Sequence, residues 1–256
     1  MPPALGRLAP EDWTHVERYP LSAAQAVALP PRPVVIGVNW YSAFDSPMRD
    51  SRGAYWIGRT GNLGYQRGGH CVCLKPRYAA DLPSWYEFYN QVNEGICVGE
   101  GVSRAASHFN RKMYQPRAIY DECKKRDGYS GEGTWVKYGF DVLRQMGAVP
   151  RKRGEVHYLE PTPSLNQRFQ YSEGITENRW IRSISDCLEV LGYQNVGYVD
   201  IINSWGPLPG GYPHLTRLPV EVLERLWEED GEIGVITDRK PESTSDMDLP
   251  GIETVI

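Results

Sequence analysis

Three short segments, spread over about half of the chain, contain the side chains that most constrain how it can fold. The first ends in His70 after two glycines, the second runs from Gln91 to Cys97, and the third begins at Asn203 with Ser-Trp-Gly behind it. A thiol nucleophile needs an imidazole to accept its proton and a polar group to orient that imidazole, and these groups can come from any part of a sequence. A fold that uses the three segments together must therefore join them at one place.

Two of the segments fall at the ends of predicted strands. Residues 34–41 form an apolar, β-branched run that predicts a buried strand, and residues 70–75 predict another, with the Gly-rich stretch between them as a loop. On this interpretation His70 opens a strand. A third predicted strand, residues 197–202, delivers Asn203 at its end.

The cysteine segment precedes a predicted helix. Residues 97–112 place apolar or small side chains at helical spacing, so Cys97 is expected in the first turn. The unpaired N–H groups and partial positive charge of a helix N-terminus lower a thiol pKa from about 8.5 toward neutrality. Taken alone, however, a single cysteine is more often a packed core residue than a nucleophile.

The remaining pattern predicts a mixed α and β chain without internal repeats. A stretch without clear period, residues 150–174, predicts an extended surface connection, and the residues from Lys240 onward are polar, with Pro and Ser. Further helices are predicted at residues 21–29, 116–126, 134–146 and 185–191.

Composition excludes several classes of protein. The 256 residues, 41% apolar and 23% charged, suffice for one large domain or two lobes around a cleft. A net charge of -4 provides no basic field, so neither nucleic acid nor an anionic membrane is expected as a partner. No membrane span or export signal is recognised, which favours a cytoplasmic or particle-associated location.

The five cysteines predict free thiols and no cofactor. An odd number in a chain of this size argues against a disulfide scaffold and for a reducing compartment. Cys71 and Cys73 lack the spacing of a zinc site and are expected on one face of a strand. Cys123 and Cys187 fall in predicted helices, where we expect packed, unreactive thiols. No metal or organic cofactor is expected.

Residues 91–99 resemble the nucleophile segment of the papain-like cysteine peptidases, in particular bacterial and viral-type members. Gln91 precedes Cys97 by the family's six residues, and the cysteine lies in the family's Gly-x-Cys-Val-Gly setting. The stretch from Pro116 to Gly147 resembles the helical lobe of those proteins, and residues 203–206 resemble their Asn-Ser-Trp-Gly block. Papain-like chains normally have the order Cys, His, Asn. Here the histidine segment comes first, which implies a circular permutation.

The resemblance implies a two-lobed α+β papain-like fold, circularly permuted, with a helical lobe facing an antiparallel sheet lobe. The single catalytic domain would span residues 1–240, with 1–80 and 150–240 mainly in the sheet lobe and 81–149 mainly in the helical lobe. Residues 241–256 would form a polar, mobile tail. The cleft between the lobes would bind a peptide or protein substrate.

The resemblance also implies roles for individual residues. Cys97 would attack the carbonyl carbon, His70 would exchange the proton, and Asn203 would orient the imidazole. Gln91 would donate a hydrogen bond to the oxyanion, and Trp205 would cover the contact between His70 and Asn203.

Other bases and other functions remain open from the sequence. His108, within the cysteine's own predicted helix, and His157, between Cys97 and Asn203, are alternative bases, although neither has the Gly-Gly-His-strand setting. The family's protein-digesting members have an aromatic residue after the nucleophile, whereas this chain has Val98 and then Glu100, so substrate preference stays open. Two alternative functions are a catalytically quiet structural or adaptor module of a larger assembly, and an amidopeptidase that acts on cell-wall peptides.

Overall fold

The structure, a computed structural model, describes residues 31–77, 89–91, 94–151, 173–205 and 215–239. Its class is mixed α+β, as predicted, with one eight-stranded sheet and five α-helices among these residues. The strands are β1 Val34–Tyr41, β2 Met48–Arg49, β3 Tyr55–Trp56, β4 Gln66–Lys75, β5 Ile175–Trp180, β6 Tyr198–Ile202, β7 Leu215–Pro219 and β8 Glu232–Arg239. The helices are α1 Cys97–Asn110, α2 Pro116–Lys124, α3 Val136–Gln145, α4 Ile184–Leu191 and α5 Val220–Glu228, with a short 3₁₀ helix at Ser42–Asp45.

The sheet has the strand order β2-β3-β7-β6-β4-β1-β8-β5. All neighbouring pairs are antiparallel except β3 and β7, which are parallel. The central strands β4 and β1 are almost continuously buried, because both faces of the sheet are covered. A strand buried on both faces has the unbroken apolar run from which β1 was predicted.

Alternate residues of β1 enter two separate apolar cores. Val34, Ile36 and Val38 pack with side chains of α4 and α5 on one face of the sheet. Val35 faces the other way and packs with Cys71 and with side chains of α1, α2 and α3. Since side chains alternate along a strand, one strand supplies both cores.

Helix α1 lies very close to the sheet. A Cβ atom added to Gly101 would lie 2.7 Å from the sulfur of Cys71 on β4, so only a residue without a side chain permits this approach. At the start of the same helix, Gly95 approaches the backbone of Gly133, where an added Cβ would lie 2.6 Å from the nitrogen. These two glycines fix the beginning of α1 against β4 on one side and against the loop before α3 on the other.

Most predicted elements are confirmed within a few residues. Helix α1 ends two residues before the predicted boundary, because Arg111 takes a left-handed conformation with φ of 55° and closes the helix. Strand β1 has the predicted bounds, and β6 begins one residue late. The predicted loop between β1 and β4 was partly wrong, since it contains β2 and β3 and the first four residues of β4. The predicted helix at 21–29, residues 152–172 of the predicted connection and the tail at 241–256 lie outside the described residues.

Candidate active site

The sheet register brings the His70 and Asn203 segments together. The antiparallel ladder between β4 and β6 pairs Cys73 with Ile202 at the end of β6. Opposite residues share a face and successive residues alternate, so Asn203 falls on the same face as His70. The next pairing is made by a separate segment, since Asn90 forms an isolated bridge with Trp205. Three distant pieces of chain therefore converge at the end of β6.

His70 and Asn203 make a direct side-chain hydrogen bond. His70 Nε2 lies 2.9 Å from Asn203 Oδ1, and the same oxygen accepts a 2.7 Å hydrogen bond from the backbone N–H of Ser204. Because the Ser204 amide can only donate, this second contact identifies the Asn203 atom as oxygen. The proton of the neutral imidazole therefore lies on Nε2. His70 Nδ1 is left unprotonated and has no hydrogen-bond partner among the described residues.

Two tryptophans enclose this contact. Trp205 stacks on His70, with ring centroids 5.4 Å apart and planes 27° apart, and Trp40 meets the imidazole edge-on at 4.7 Å. The two indoles also contact each other. His70 is fully buried, and this burial lowers its pKa to about 4, against a smaller opposite effect of the Asn203 hydrogen bond. At neutral pH the imidazole is uncharged and able to accept a proton.

Cys97 begins α1 and packs in the same apolar core as Cys71 of β4, the residue after His70. Ile96 occupies the N-cap position and has no side chain that could cap, so the first backbone N–H groups remain free for other acceptors. The N–H of Cys71, the residue after His70, and the N–H groups of Cys97 and Val98 hydrogen-bond to the Cys97 sulfur in its thiolate form and lower its pKa. Backbone amides from two elements therefore favour the thiolate form of Cys97.

Burial nevertheless outweighs these amides. Cys97 is only 5% exposed, and loss of hydration, with a smaller contribution from Glu100, raises the pKa of its thiol to about 11. The N–H groups of the helix N-terminus lower this pKa as expected, but burial reverses the net shift, so the expected thiol pKa near neutrality was wrong. At rest the two groups are a neutral thiol and a neutral imidazole.

Gln91 lies beside the same strand end. Its backbone N–H donates a 2.9 Å hydrogen bond to the carbonyl of Ser204, and its side-chain Nε2 donates a 3.1 Å hydrogen bond to the carbonyl of Glu94. The amide Nε2 carries two N–H groups, so one remains for another acceptor. The side chain is buried, and its Oε1 has no partner among the described residues.

Two charged side chains behind the cysteine, Glu100 and Arg104 of α1, complete the site, and the sequence did not predict their part in it. Both are buried, one and two helical turns after Cys97. Arg104 Nη1 donates hydrogen bonds to the carbonyls of Ile202 at 2.9 Å and Asn203 at 3.2 Å. Burial raises the pKa of Glu100 to about 8, although the positive charge of Arg104 and the nearby Ser204 hydroxyl oppose this shift. The only sequence signal for Glu100 or Arg104 is that each is a charged residue on the apolar side of a predicted helix.

Of the two alternative bases, the structure describes His108 but not His157. His108 is exposed on α1, eleven residues after Cys97, which along a helix corresponds to about 16 Å. It is too distant to accept a proton from the Cys97 thiol. His157 lies outside the described residues.

Among the other cysteines, Cys71 has a thiol that interacts electrostatically with that of Cys97. The five cysteines are free and buried. Cys71 and Cys73 lie on one face of β4, and Cys123 and Cys187 lie in α2 and α4, as predicted. Within the described ranges, no three His, Cys, Asp or Glu side chains are grouped as a metal site would require. No helix of that part of the chain is long and apolar enough for a membrane span.

Comparison of the chain with protein-family models, with curated proteins and with solved structures gives no significant match. The chemistry of the site therefore has to be argued from its own geometry.

Proposed function

We propose that this protein hydrolyses peptide or other amide bonds through a thioester intermediate, with Cys97 as nucleophile, His70 as base, Asn203 as orienting residue and Gln91 in the oxyanion site. The observation that carries the proposal is the tautomer of His70. Asn203 holds the proton on Nε2, and Nδ1 is therefore the atom that can accept the proton of the thiol.

The proposed reaction begins from neutral groups. As the Cys97 sulfur attacks the carbonyl carbon, its proton passes to His70 Nδ1, and the imidazolium then gives that proton to the leaving amine. The acyl group remains on the sulfur as a thioester, and water activated by the same nitrogen releases the carboxylic acid. The tetrahedral oxyanion is expected to accept hydrogen bonds from the Cys97 N–H and from the Gln91 side-chain amide.

We further propose that the fold is papain-like and two-lobed, with its segments in circularly permuted order. In support, the described elements from α1 to α3 are consecutive helices on one face of the sheet, and Cys97 lies where the first of them meets β4. His70 and Asn203 come from strands, as the sheet lobe of that family would require. Permutation preserves such contacts when the original termini lie close together.

The rate of Cys97 alkylation by iodoacetamide, followed by peptide mass spectrometry across pH, tests the proposed pair. We expect a rate that depends on His70 between about pH 4, where the imidazole becomes protonated, and about pH 11, where the thiol ionises without help. His70→Ala should lower the rate at pH 7 about a hundredfold. His108→Ala, an exposed histidine of the same helix, should leave it unchanged.

Hydrolysis of a mixture of unblocked peptides, with Cys97→Ser as the inactive control, tests the reaction itself. Cleavage that disappears in the serine variant would support the proposal. If the alkylation profiles of the protein and of His70→Ala coincide, the pair is not assembled and the proposal fails.

A second candidate is the catalytically quiet module of a larger assembly. One observation favours it: the nucleophile and the base are both buried and neutral at rest. In that case neither the alkylation rate nor peptide cleavage would respond to His70→Ala.

A further inference from the structure

The helix that carries Cys97 also carries the side chain that holds Asn203. Arg104 follows Cys97 by seven residues, which is about two helical turns, so both lie on the same side of α1. Its Nη1 donates to the backbone carbonyls of Ile202 and Asn203, at 2.9 and 3.2 Å. These carbonyls lie 98 and 99 residues away along the chain.

A guanidinium is suited to this contact. Arg104 is only 2% exposed, and burial of a charge without partners is unfavourable, so its hydrogen bonds must compensate for lost hydration. Nη1 carries two N–H groups, one for each of the two consecutive carbonyls, and the planar guanidinium fixes their directions. The contact therefore fixes both the position and the direction of the chain at Asn203.

Arg104 also supports the Gln91 segment. Its guanidinium carbon lies 5.4 Å from the centroid of the Tyr89 ring, two residues before Gln91. Tyr89 is in turn held by a 2.9 Å hydrogen bond from its hydroxyl to the carbonyl of Tyr114. The side chain thus lies between the Asn203 backbone and the segment that carries Gln91.

We propose that Arg104 is a positioning residue, which acts through Asn203 to fix the orientation of the His70 imidazole. Because Cys97 and Arg104 are two turns apart on one rigid helix, α1 sets the distance between the Cys97 nucleophile and the carbonyls that Arg104 binds. This inference rests on the proposed function, since it assumes that the orientation of His70 matters for the reactivity of Cys97.

A double-mutant cycle with Arg104→Met and Asn203→Ala tests the proposal, with alkylation of Cys97 at pH 7 as the readout. We expect each single variant to lower the rate about tenfold, and the double variant to be no slower than Asn203→Ala. Arg104→Lys keeps the charge but lacks the planar fork, so it should recover only part of the rate. Rates that multiply in the double variant, to about a hundredfold, would overturn the proposal.

The pH at which Cys97 alkylation falls in acid distinguishes a positioning role of Arg104 from a general loosening of the structure in Arg104→Met. The Asn203 hydrogen bond raises the pKa of His70, so losing it through Arg104→Met should shift the acid midpoint downward. A merely loosened structure would admit water and shift the midpoint upward, toward the ordinary histidine value of about 6.5. An upward shift in Arg104→Met therefore contradicts the proposal, whatever the rate at pH 7.

Two further measurements keep the outcome interpretable. Thermal unfolding establishes a temperature at which the variants are folded, and if Arg104→Met is not folded the cycle is repeated with Arg104→Lys, for which the same non-additivity is required. The His70→Ala profile identifies which idea has failed. A rate insensitive to His70 contradicts the proposed function, whereas a rate that depends on His70 but not on Arg104 contradicts only the role of Arg104.

Discussion

The two sides of the candidate site differ in what holds the reactive side chain. On the base side, Asn203 Oδ1 accepts two hydrogen bonds and the imidazole lies between Trp40 and Trp205. On the nucleophile side, the backbone N–H groups of Cys71, Cys97 and Val98 stabilise the Cys97 thiolate, and the side-chain amide of Gln91 has one N–H left beside its bond to Glu94. The base is thus held by side chains, whereas the nucleophile side presents N–H donors, and buried atoms without a partner among the described residues remain on both sides, His70 Nδ1 and Asn203 Nδ2 among them.

This difference has an energetic meaning. A buried polar atom without a partner destabilises a fold by about 1–3 kcal/mol, so native structures retain such atoms only where something compensates. A bound carbonyl that develops negative charge would provide an acceptor for the free N–H of Gln91. We therefore expect substitutions on the nucleophile side to affect the transition state, and substitutions on the base side to affect the proton-accepting group itself.

Replacement of Gln91 should have the largest effect, and only on hydrolysis. Loss of one oxyanion donor lowers kcat by about a hundredfold or more, because the charge that it stabilises exists only in the transition state. Alkylation by iodoacetamide forms no oxyanion, so the alkylation rate of Gln91→Ala should match that of the unmodified protein. Gln145→Ala, at an exposed residue near the end of α3, is the control. Equal losses in both reactions would show that Gln91 only supports the structure of Cys97.

Replacement of Trp205 should act on the base side. Burial is the main cause of the low His70 pKa, so Trp205→Ala should admit water and raise that pKa from about 4 toward 6.5. The acid midpoint of Cys97 alkylation should move upward with it. A rise to about 6 would lower the rate at pH 5 about tenfold, because most of the imidazole would then be protonated.

The graded control is Trp205→Phe, which retains a ring and should give a smaller upward shift. A midpoint that stays near pH 4 in Trp205→Ala would mean that Trp40 and the sheet alone exclude water. The stacked contact would then be of no importance for the proton-accepting group.

The local placement of the site residues could be predicted from sequence. Helical spacing placed Cys97 in the first turn of α1, and apolar runs placed Asn203 at the end of β6. The glycines before His70 were misleading, because the ladder pairs Gly69 with Asn39 and Gly68 with Trp40, and the strand continues through them. A backbone without side chains can still form ladder hydrogen bonds, so glycine alone does not mark a loop.

The electrostatics of the site could not be predicted in this way. The thiol pKa depends on how deeply Cys97 is buried, which is set by the close approach of α1 to β4 at Gly101. The hydrogen bonds of Arg104 go to backbone carbonyls, which every residue has, so no sequence pattern predicts them. Both features arise from tertiary packing between segments that have no local relation to each other.

The buried Glu100 carboxyl gives the smallest predicted effect on Cys97 alkylation, and that effect is confined to alkaline pH. It faces Cys97 along α1, and its negative charge raises the thiol pKa. Its own pKa lies at about 8, so it is neutral below that pH and charged above it. The other groups that act on it are Arg104 on its own helix, the Ser204 hydroxyl after β6, and Glu94 and Arg151 in the flanking loops.

Glu100→Gln should therefore leave Cys97 alkylation unchanged at pH 6 and accelerate it a few-fold at pH 9, where the missing charge no longer opposes the thiolate. Glu224→Gln, which removes an exposed carboxyl on α5, should change neither rate.

The pH dependence of the free energy of unfolding gives an independent check on Glu100. Because the folded pKa of Glu100 is raised above the ordinary value of 4.5, the unfolded chain releases the proton first, and this carboxyl destabilises the fold as pH rises from 4.5 to about 8. The stability of Glu100→Gln relative to the unmodified protein should increase across that window, by up to about 1.4 kcal/mol per pH unit, and then level off. A constant difference would mean that the carboxyl is already ionised at neutral pH, and the nucleophile side would then carry a fixed negative charge beside its thiol.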